Sequence, residues 1–214
     1  MNPRGAASRA KPVTLVNTVN KGTLGSCHRV TNNAPSPPKY CVISRERIAP
    51  VVNGDAPLSL DHVRPGPERE AFLPLLLLAD AEPQVRGYLH HGDLYALRGA
   101  GGGPLGVTLV LPDGADPGTA ELRAVAIDPT QHHRGLGRRM LAGVLADLRG
   151  RGFRRAVVGT SNAGIGQIAF YQKAGFRLWR IERDYFTSQK GYDTDERENG
   201  LPHRDMIWFD QELA

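Results

Sequence analysis

One stretch constrains this chain more than any other. Residues 120–150 read AELRAVAI, then DPTQHH, then RGLG, then a long run with helical spacing. The first eight predict a strand that ends at Asp128-Pro129, and the last part predicts a helix over 135–150. The first turn of a helix carries backbone N–H groups with no partner inside the helix, and it is the positive end of the dipole. Gly135 and Gly137 remove side chains there, so an anion can approach the backbone. Arg134, Arg138 and Arg139 add positive charge nearby. The pattern reads as a phosphate or pyrophosphate cradle, although a strand, GxG and helix can also be a tight turn and nothing more. Two common cradles do not fit. A dinucleotide fingerprint needs a third glycine where Met140 stands, and the GxxxxGK[ST] loop is absent.

Around that stretch the patterning predicts a strand over 59–65, helices over 68–80 and 83–91, and strands over 93–99 and 104–111. Downstream it predicts a strand over 154–160, a helix over 166–175, a strand over 176–186, an acidic loop over 191–200 and a last strand over 204–209. No internal repeat interrupts this order.

The net charge of +5 is unevenly placed. Residues 1–45 hold seven basic side chains and no acid, which leaves 20 basic against 22 acidic in the rest. The basicity therefore belongs to the N-terminal segment, and a nucleic-acid-binding face on the folded domain is not expected. That segment has no sustained periodicity and contains a PSPP run, so residues 1–57 are expected to be a disordered basic tail and linker. Its acid-free composition also resembles an organelle transit peptide. No apolar run reaches membrane-span length and no secretory signal is visible, so a cytoplasmic protein with no membrane partner is expected. Cys27 and Cys41 lie far apart without a CxxC context and read as free thiols. The pairs His90-His91 and His132-His133 do not point at one ion, so no metal site is expected.

The segment VAIDPTQHHRGLGRRML, residues 125–141, resembles the acetyl-CoA-binding motif of the GNAT superfamily of N-acetyltransferases. There a strand leads through [RQ]xxGx[GA] into a helix, and the loop amides hold the CoA pyrophosphate. A second segment, SNAGIGQIAFYQKAGFR at 161–177, resembles the GNAT helix with a tyrosine before a Gly-Phe turn, here Tyr171 followed by Gly175-Phe176. The resemblance covers about residues 58–210. It implies one domain over 58–214 with an α/β (α+β) fold: a mixed, mostly antiparallel sheet flanked by helices. Two positions depart from the pattern. His132 replaces the usual Arg or Gln. Gly164 stands where many members place an asparagine, and the nearest asparagine is Asn162.

The resemblance implies acetyl transfer from acetyl-CoA, as co-substrate, to a primary amine by direct attack. It nominates Tyr171 as general acid for the leaving thiolate, since a phenol, with an ordinary pKa of about 10, is protonated at neutral pH. Glu121 is the best carboxylate for accepting the amine's proton, with a structural or substrate-orienting role as its alternative. Cofactor contacts are expected from Val125, Ala126, Ile127, His132, His133, Arg134, Gly135, Leu136, Gly137, Arg138 and Asn162. A backbone N–H near Val125 to Ile127 is expected to face the acetyl carbonyl, at a bulge and splay of that strand. A small-molecule amine is favoured as acceptor over a protein amine, and a homodimer is common in the family. The other reading is a catalytically silent acyl-CoA-binding sensor. The acidic run 193–198 could attract a cationic amine, although a solvated loop is the plainer reading. Leu73, Leu75 to Leu78 and Tyr88 are expected to be core.

Overall fold

Seven strands form one sheet in a computed structural model that describes residues 57–213. In spatial order they are β1 (Ser59–Val63), β2 (Asp93–Arg98), β3 (Pro104–Pro112), β4 (Thr119–Ile127), β5 (Arg155–Ser161), β9 (Met206–Glu212) and β6 (Arg177–Glu182). Every neighbouring pair is antiparallel except β4 and β5. A parallel pair needs a crossover, and α3 (Leu136–Gly150) supplies it. The other helices are α1 (Leu73–Leu76), α2 (Glu82–Tyr88) and α4 (Ile165–Lys173), and a small hairpin joins β7 (Arg197–Glu198) to β8 (Leu201–Pro202). The expected mixed, mostly antiparallel sheet flanked by helices is therefore present. The basic segment and both cysteines lie outside the described residues.

Side-chain alternation along β4 gives the sheet two different faces. Leu122, Val125 and Ile127 pack with Met140, Val144 and Leu148 of α3, and with Tyr171 and Phe209. Ala124 and Ala126 turn the other way, toward Phe72, Leu76, Val85 and Tyr88. A third apolar group, Tyr185, Phe186, Met206 and Trp208, covers the β9 end of the sheet.

Three elements differ from the sequence expectation. The helix predicted over 68–80 is a 3-10 turn, Pro67–Phe72, followed by the single turn α1. Pro74 lacks an N–H and fits only in a first turn, so the helix cannot run through it. The strand predicted over 176–186 stops at Glu182, and Asp184 takes a positive φ of 51°. The acidic loop contains the β7–β8 hairpin, turned by Asn199 and Gly200 with φ of 54° and 77°. Asn-Gly is the preferred pair for a two-residue hairpin turn. Leu76 and Tyr88 are buried as expected, whereas Leu77 is exposed.

Candidate active site

The site grows from a fault in the sheet. β4 and β5 begin in register, with Thr119 opposite Arg155, Ala120 opposite Ala156 and Glu121 opposite Val157, and the pairing stops there. From Leu122 to Ile127, β4 keeps β3 on one side and has no strand on the other. The β3–β4 register also shifts: Leu109 faces Ala124 while Val110 faces Leu122, so Arg123 is the extra residue. A bulge bends and twists its strand, which accounts for the divergence. The expected bulge and splay are both present, but the bulge sits at Arg123, upstream of Val125 to Ile127. Those three residues are buried, and their edge away from β3 lines the wedge-shaped gap.

At the end of β4 the chain turns into α3. Asp128 accepts hydrogen bonds from Thr130 N and Thr130 Oγ1, both at 2.8 Å, which hold its carboxyl below the usual range. His132 Nε2 donates to the carbonyl of Ile127 at 3.0 Å, so the histidine that replaces the usual Arg or Gln ties the loop back to β4. His133 is exposed and left-handed, with φ of 61°. Arg134 is exposed and donates to Gln131 Oε1. Gly135 is the residue before α3, with φ of 74°, and no side chain caps the helix. The backbone N–H groups of Leu136, Gly137 and Arg138 form the uncapped first turn. Arg138 is exposed beside it, while the Leu136 side chain belongs to the core.

The two glycines do different jobs. A Cβ on Gly135 would meet nothing within 4 Å, so this position is open and needs glycine for its left-handed backbone. A Cβ on Gly137 would lie 3.1 Å from the Phe170 ring of α4. The expectation that both glycines clear the way for an anion is corrected for Gly137, whose missing side chain lets α3 and α4 pack closely. An uncapped helix start beside an unpaired strand edge fits an elongated ligand with an anionic middle, which is the chemistry of acetyl-CoA.

The structure places the remaining candidates as follows. Tyr171 is fully buried on α4, its ring 5.2 to 5.9 Å from those of Phe170, Phe176 and Phe209. Glu121 sits at the last paired position before the gap and forms an ion pair with Arg123 at 3.3 Å. Asn162 is occupied by the fold: its oxygen accepts from Arg204 N and Asp205 N at 2.9 Å, and its amide donates to the Pro202 carbonyl at 3.2 Å. The turn role, rather than a cofactor contact, accounts for that side chain.

Sequence reasoning missed Arg123 and the contacts around it. The Arg123 guanidinium is buried and stacks 5.3 Å from the Tyr88 ring centre. Burial pushes the Tyr88 hydroxyl far up, the Asp80 carboxylate adds to this, and Arg123 opposes it. Gln84 of α2 donates to the Lys190 carbonyl at 2.6 Å, bridging to a loop whose Tyr192 ring meets Phe186 edge to face. The i, i+2 spacing of Glu121 and Arg123 on a strand was the available signal, since it puts both on one face. Nothing in the sequence marked the α2-to-loop bridge. The acidic run is largely exposed, apart from Glu198, whose carboxyl burial raises. Among the described residues no group of three or more His, Cys, Asp or Glu could hold a metal, and no helix is long and apolar enough to cross a membrane.

Residues 63–176 match the family model described as the acetyltransferase (GNAT) family. The chain is 34% identical over 134 residues to the uncharacterized N-acetyltransferase YvbK of Bacillus subtilis, a match covering 62% of this chain and 83% of that one. Among solved structures it is similar to the IAA acetyltransferase of Bacillus cereus, with a TM-score of 0.63 and 33% identity over 72% of this chain and 99% of that one. It is similar also to a Bacillus subtilis acetyltransferase solved in complex with CoA, with a TM-score of 0.65 and 31% identity over 73% and 99%.

Proposed function

The chain belongs to the GNAT family and is an acetyl-CoA-dependent N-acetyltransferase, and on that premise we propose that its acceptor is a small primary amine attacking the acetyl group directly. One observation carries this reading. The β4–β5 pairing stops past Glu121 and β4 leads to the uncapped start of α3, so a carboxylate, an unpaired strand edge and a helix N-terminus follow one another along the chain.

Acetyl-CoA supplies the acetyl group as an activated thioester. The first-turn amides of α3 and the loop at Gly135 hold its pyrophosphate, with Arg134 and Arg138 adding charge. His132 keeps that loop fixed to β4 through the Ile127 carbonyl. Val125, Ala126 and Ile127 offer their open edge to the pantetheine arm, and one N–H of that edge donates to the acetyl carbonyl oxygen. Glu121 accepts the proton of the attacking amine, and Arg123 positions its carboxylate. Tyr171 donates a proton to the departing sulfur. Holding both reactants across one gap lowers the entropic part of the barrier. By family resemblance the helices near Tyr88 flank the acceptor, and the bridge from Gln84 of α2 to Lys190 on that side favours a small molecule over a protein surface.

The test is thiol release from acetyl-CoA across a panel of amines, polyamines, amino acids, aminoglycosides and peptides. Turnover is expected with a small amine. Tyr171→Phe keeps the ring and removes only the hydroxyl, so kcat should fall by roughly 10²-fold. Glu121→Gln should fall by a similar factor. Undiminished turnover in both variants would remove the assigned roles, and turnover confined to peptides would overturn the small-molecule acceptor.

A further inference from the structure

Two arginines are buried among the described residues, Arg69 at 0% exposed and Arg123 at 4%. They are used in opposite ways. Every N–H of the Arg69 guanidinium donates to a backbone carbonyl, at 2.9 to 3.1 Å. Arg123 makes one hydrogen bond, from Nη1 to Glu121 Oε1 at 3.3 Å, which is long for a charge-assisted pair. Its Nε is buried and has no partner among the described residues. Native proteins seldom leave a buried donor unpaired, and each exception calls for a reason. A guanidinium is a planar fork of five N–H donors. The Nε and Nη2 edge, which Glu121 leaves unused, has the spacing of the two oxygens of a carboxylate.

The placement of Arg123 follows from the fault in β4. Leu122 faces Val110 and Ala124 faces Leu109, so Arg123 has no partner on β3, and the pairing with β5 has already stopped at Glu121. A bulge re-aims the side chain it carries. The Tyr88 ring centre lies 5.3 Å from the guanidinium carbon. A flat cation stacked on an aromatic ring and tied at one end to Glu121 is held in a fixed orientation.

Charge selects the kind of ligand. Glu121 touches the guanidinium directly. The Tyr88 hydroxyl is pushed up by burial first and by the Asp80 carboxylate next, with Arg123 opposing, so Asp80 is close to the same group. Two carboxylates around one guanidinium repel a dianion such as a phosphate monoester. They favour a ligand that brings one negative and one positive charge.

We propose that the acceptor is an α-amino acid, whose carboxylate binds the Nε and Nη2 edge of Arg123 while its amine sits at Glu121. This rests on the reading that Glu121 accepts the amine's proton. Glu121 Oε1 and Arg123 Nη1 are 3.3 Å apart, so a ligand that meets both must carry its amine and carboxylate close together. The amine nitrogen bonds to the acetyl carbon, the carbon–sulfur bond breaks, and the products are an N-acetylamino acid and CoA.

The test compares each common amino acid with its amide and its decarboxylated amine, at saturating acetyl-CoA, in wild type, Arg123→Lys and Arg123→Met. Wild type should prefer at least one amino acid to both analogues by about 10²-fold in kcat/KM. Arg123→Lys keeps the charge without the fork and should retain part of that preference. Arg123→Met should abolish it, lowering the amino acid far more than the amide. A residue that only positions Glu121 would lower all three acceptors equally, and that result overturns the proposal. A wild type that acetylates the decarboxylated amine as well as the amino acid also overturns it, and leaves the small-amine acceptor standing. The wild-type comparison holds whether or not the variants fold. If no small amine turns over, the small-amine reading itself fails, and binding decides. CoA-loaded wild type is then titrated calorimetrically with N-acetylamino acids and their amides. An acid that binds about tenfold tighter than its amide, with the difference lost in Arg123→Met, upholds the carboxylate site. Acids that bind no better than amides overturn it.

Discussion

Arg69 is a fully buried guanidinium, and its nitrogens donate to five backbone carbonyls, those of Val63, Arg64, Leu89, His91 and Gly92, at 2.9 to 3.1 Å. Burial lowers its pKa, with Asp93 and Glu68 opposing. The carbonyls come from the end of β1 and the turn into β2, so one side chain closes a corner that has no backbone ladder. Arg69→Leu would bury those carbonyls without donors and should cost about 3–5 kcal/mol, read from the urea midpoint. Its surroundings come from segments more than twenty residues apart, so the sequence offered no sign of it. Asn162 was legible as a polar residue at the right place, but its job was not. Asn162→Ala should cost about 1–3 kcal/mol by stranding Arg204 N and Asp205 N. It should leave KM for acetyl-CoA unchanged, and a raised KM would return this residue to the cofactor site.

At the scale of elements, the strand, loop and helix from Thr119 to Gly150 formed almost as the pattern predicts, because local periodicity and the Asp128-Pro129 stop agree with the packing. The division of labour between the two glycines was invisible, since it depends on Phe170 arriving from α4. Gly137→Val should push α3 off α4 and cost about 1–3 kcal/mol in thermal unfolding. It should also shift the cradle and raise KM for acetyl-CoA, so stability and KM should change together. A bulge in β4 was expected from family resemblance alone, near Val125 to Ile127, and it lies upstream at Arg123. It arises where β3 and β4 fall out of step, and a register is a property of two strands, not of one. The β7–β8 turn was the reverse case: Asn199-Gly200 stood in plain view inside a segment read as a loop.

Across the whole molecule, a polar network ties the first strands to α3. Asp93 receives His62 Nε2 at 2.8 Å and Arg151 at 2.7 Å, while Tyr95 donates to Asp147 at 2.6 Å. Burial raises the Asp93 carboxyl, but the hydrogen bonds from His62 and Arg151 outweigh it and hold the group below the usual range. A carboxyl depressed in the folded state stabilises above its unfolded pKa of about 4, and that contribution disappears as pH falls through the lower folded value. Asp93→Asn should therefore cost about 1–2 kcal/mol at pH 6. In melting experiments the gap to wild type should close as the pH drops below about 4. A gap that widens in acid would contradict the assigned direction. The sequence by itself determined the main strands and helices around 119–150 and suggested an anion cradle at Gly135, because both are written in local spacing, while the candidate tyrosine and glutamate came from family resemblance. Only the tertiary structure decided where β4 parts from β5, which glycine serves packing, what Asn162 holds, and which side chain of α2 meets Arg123. Those are contacts between segments far apart in the chain, and local periodicity carries no record of which distant partner a face will meet.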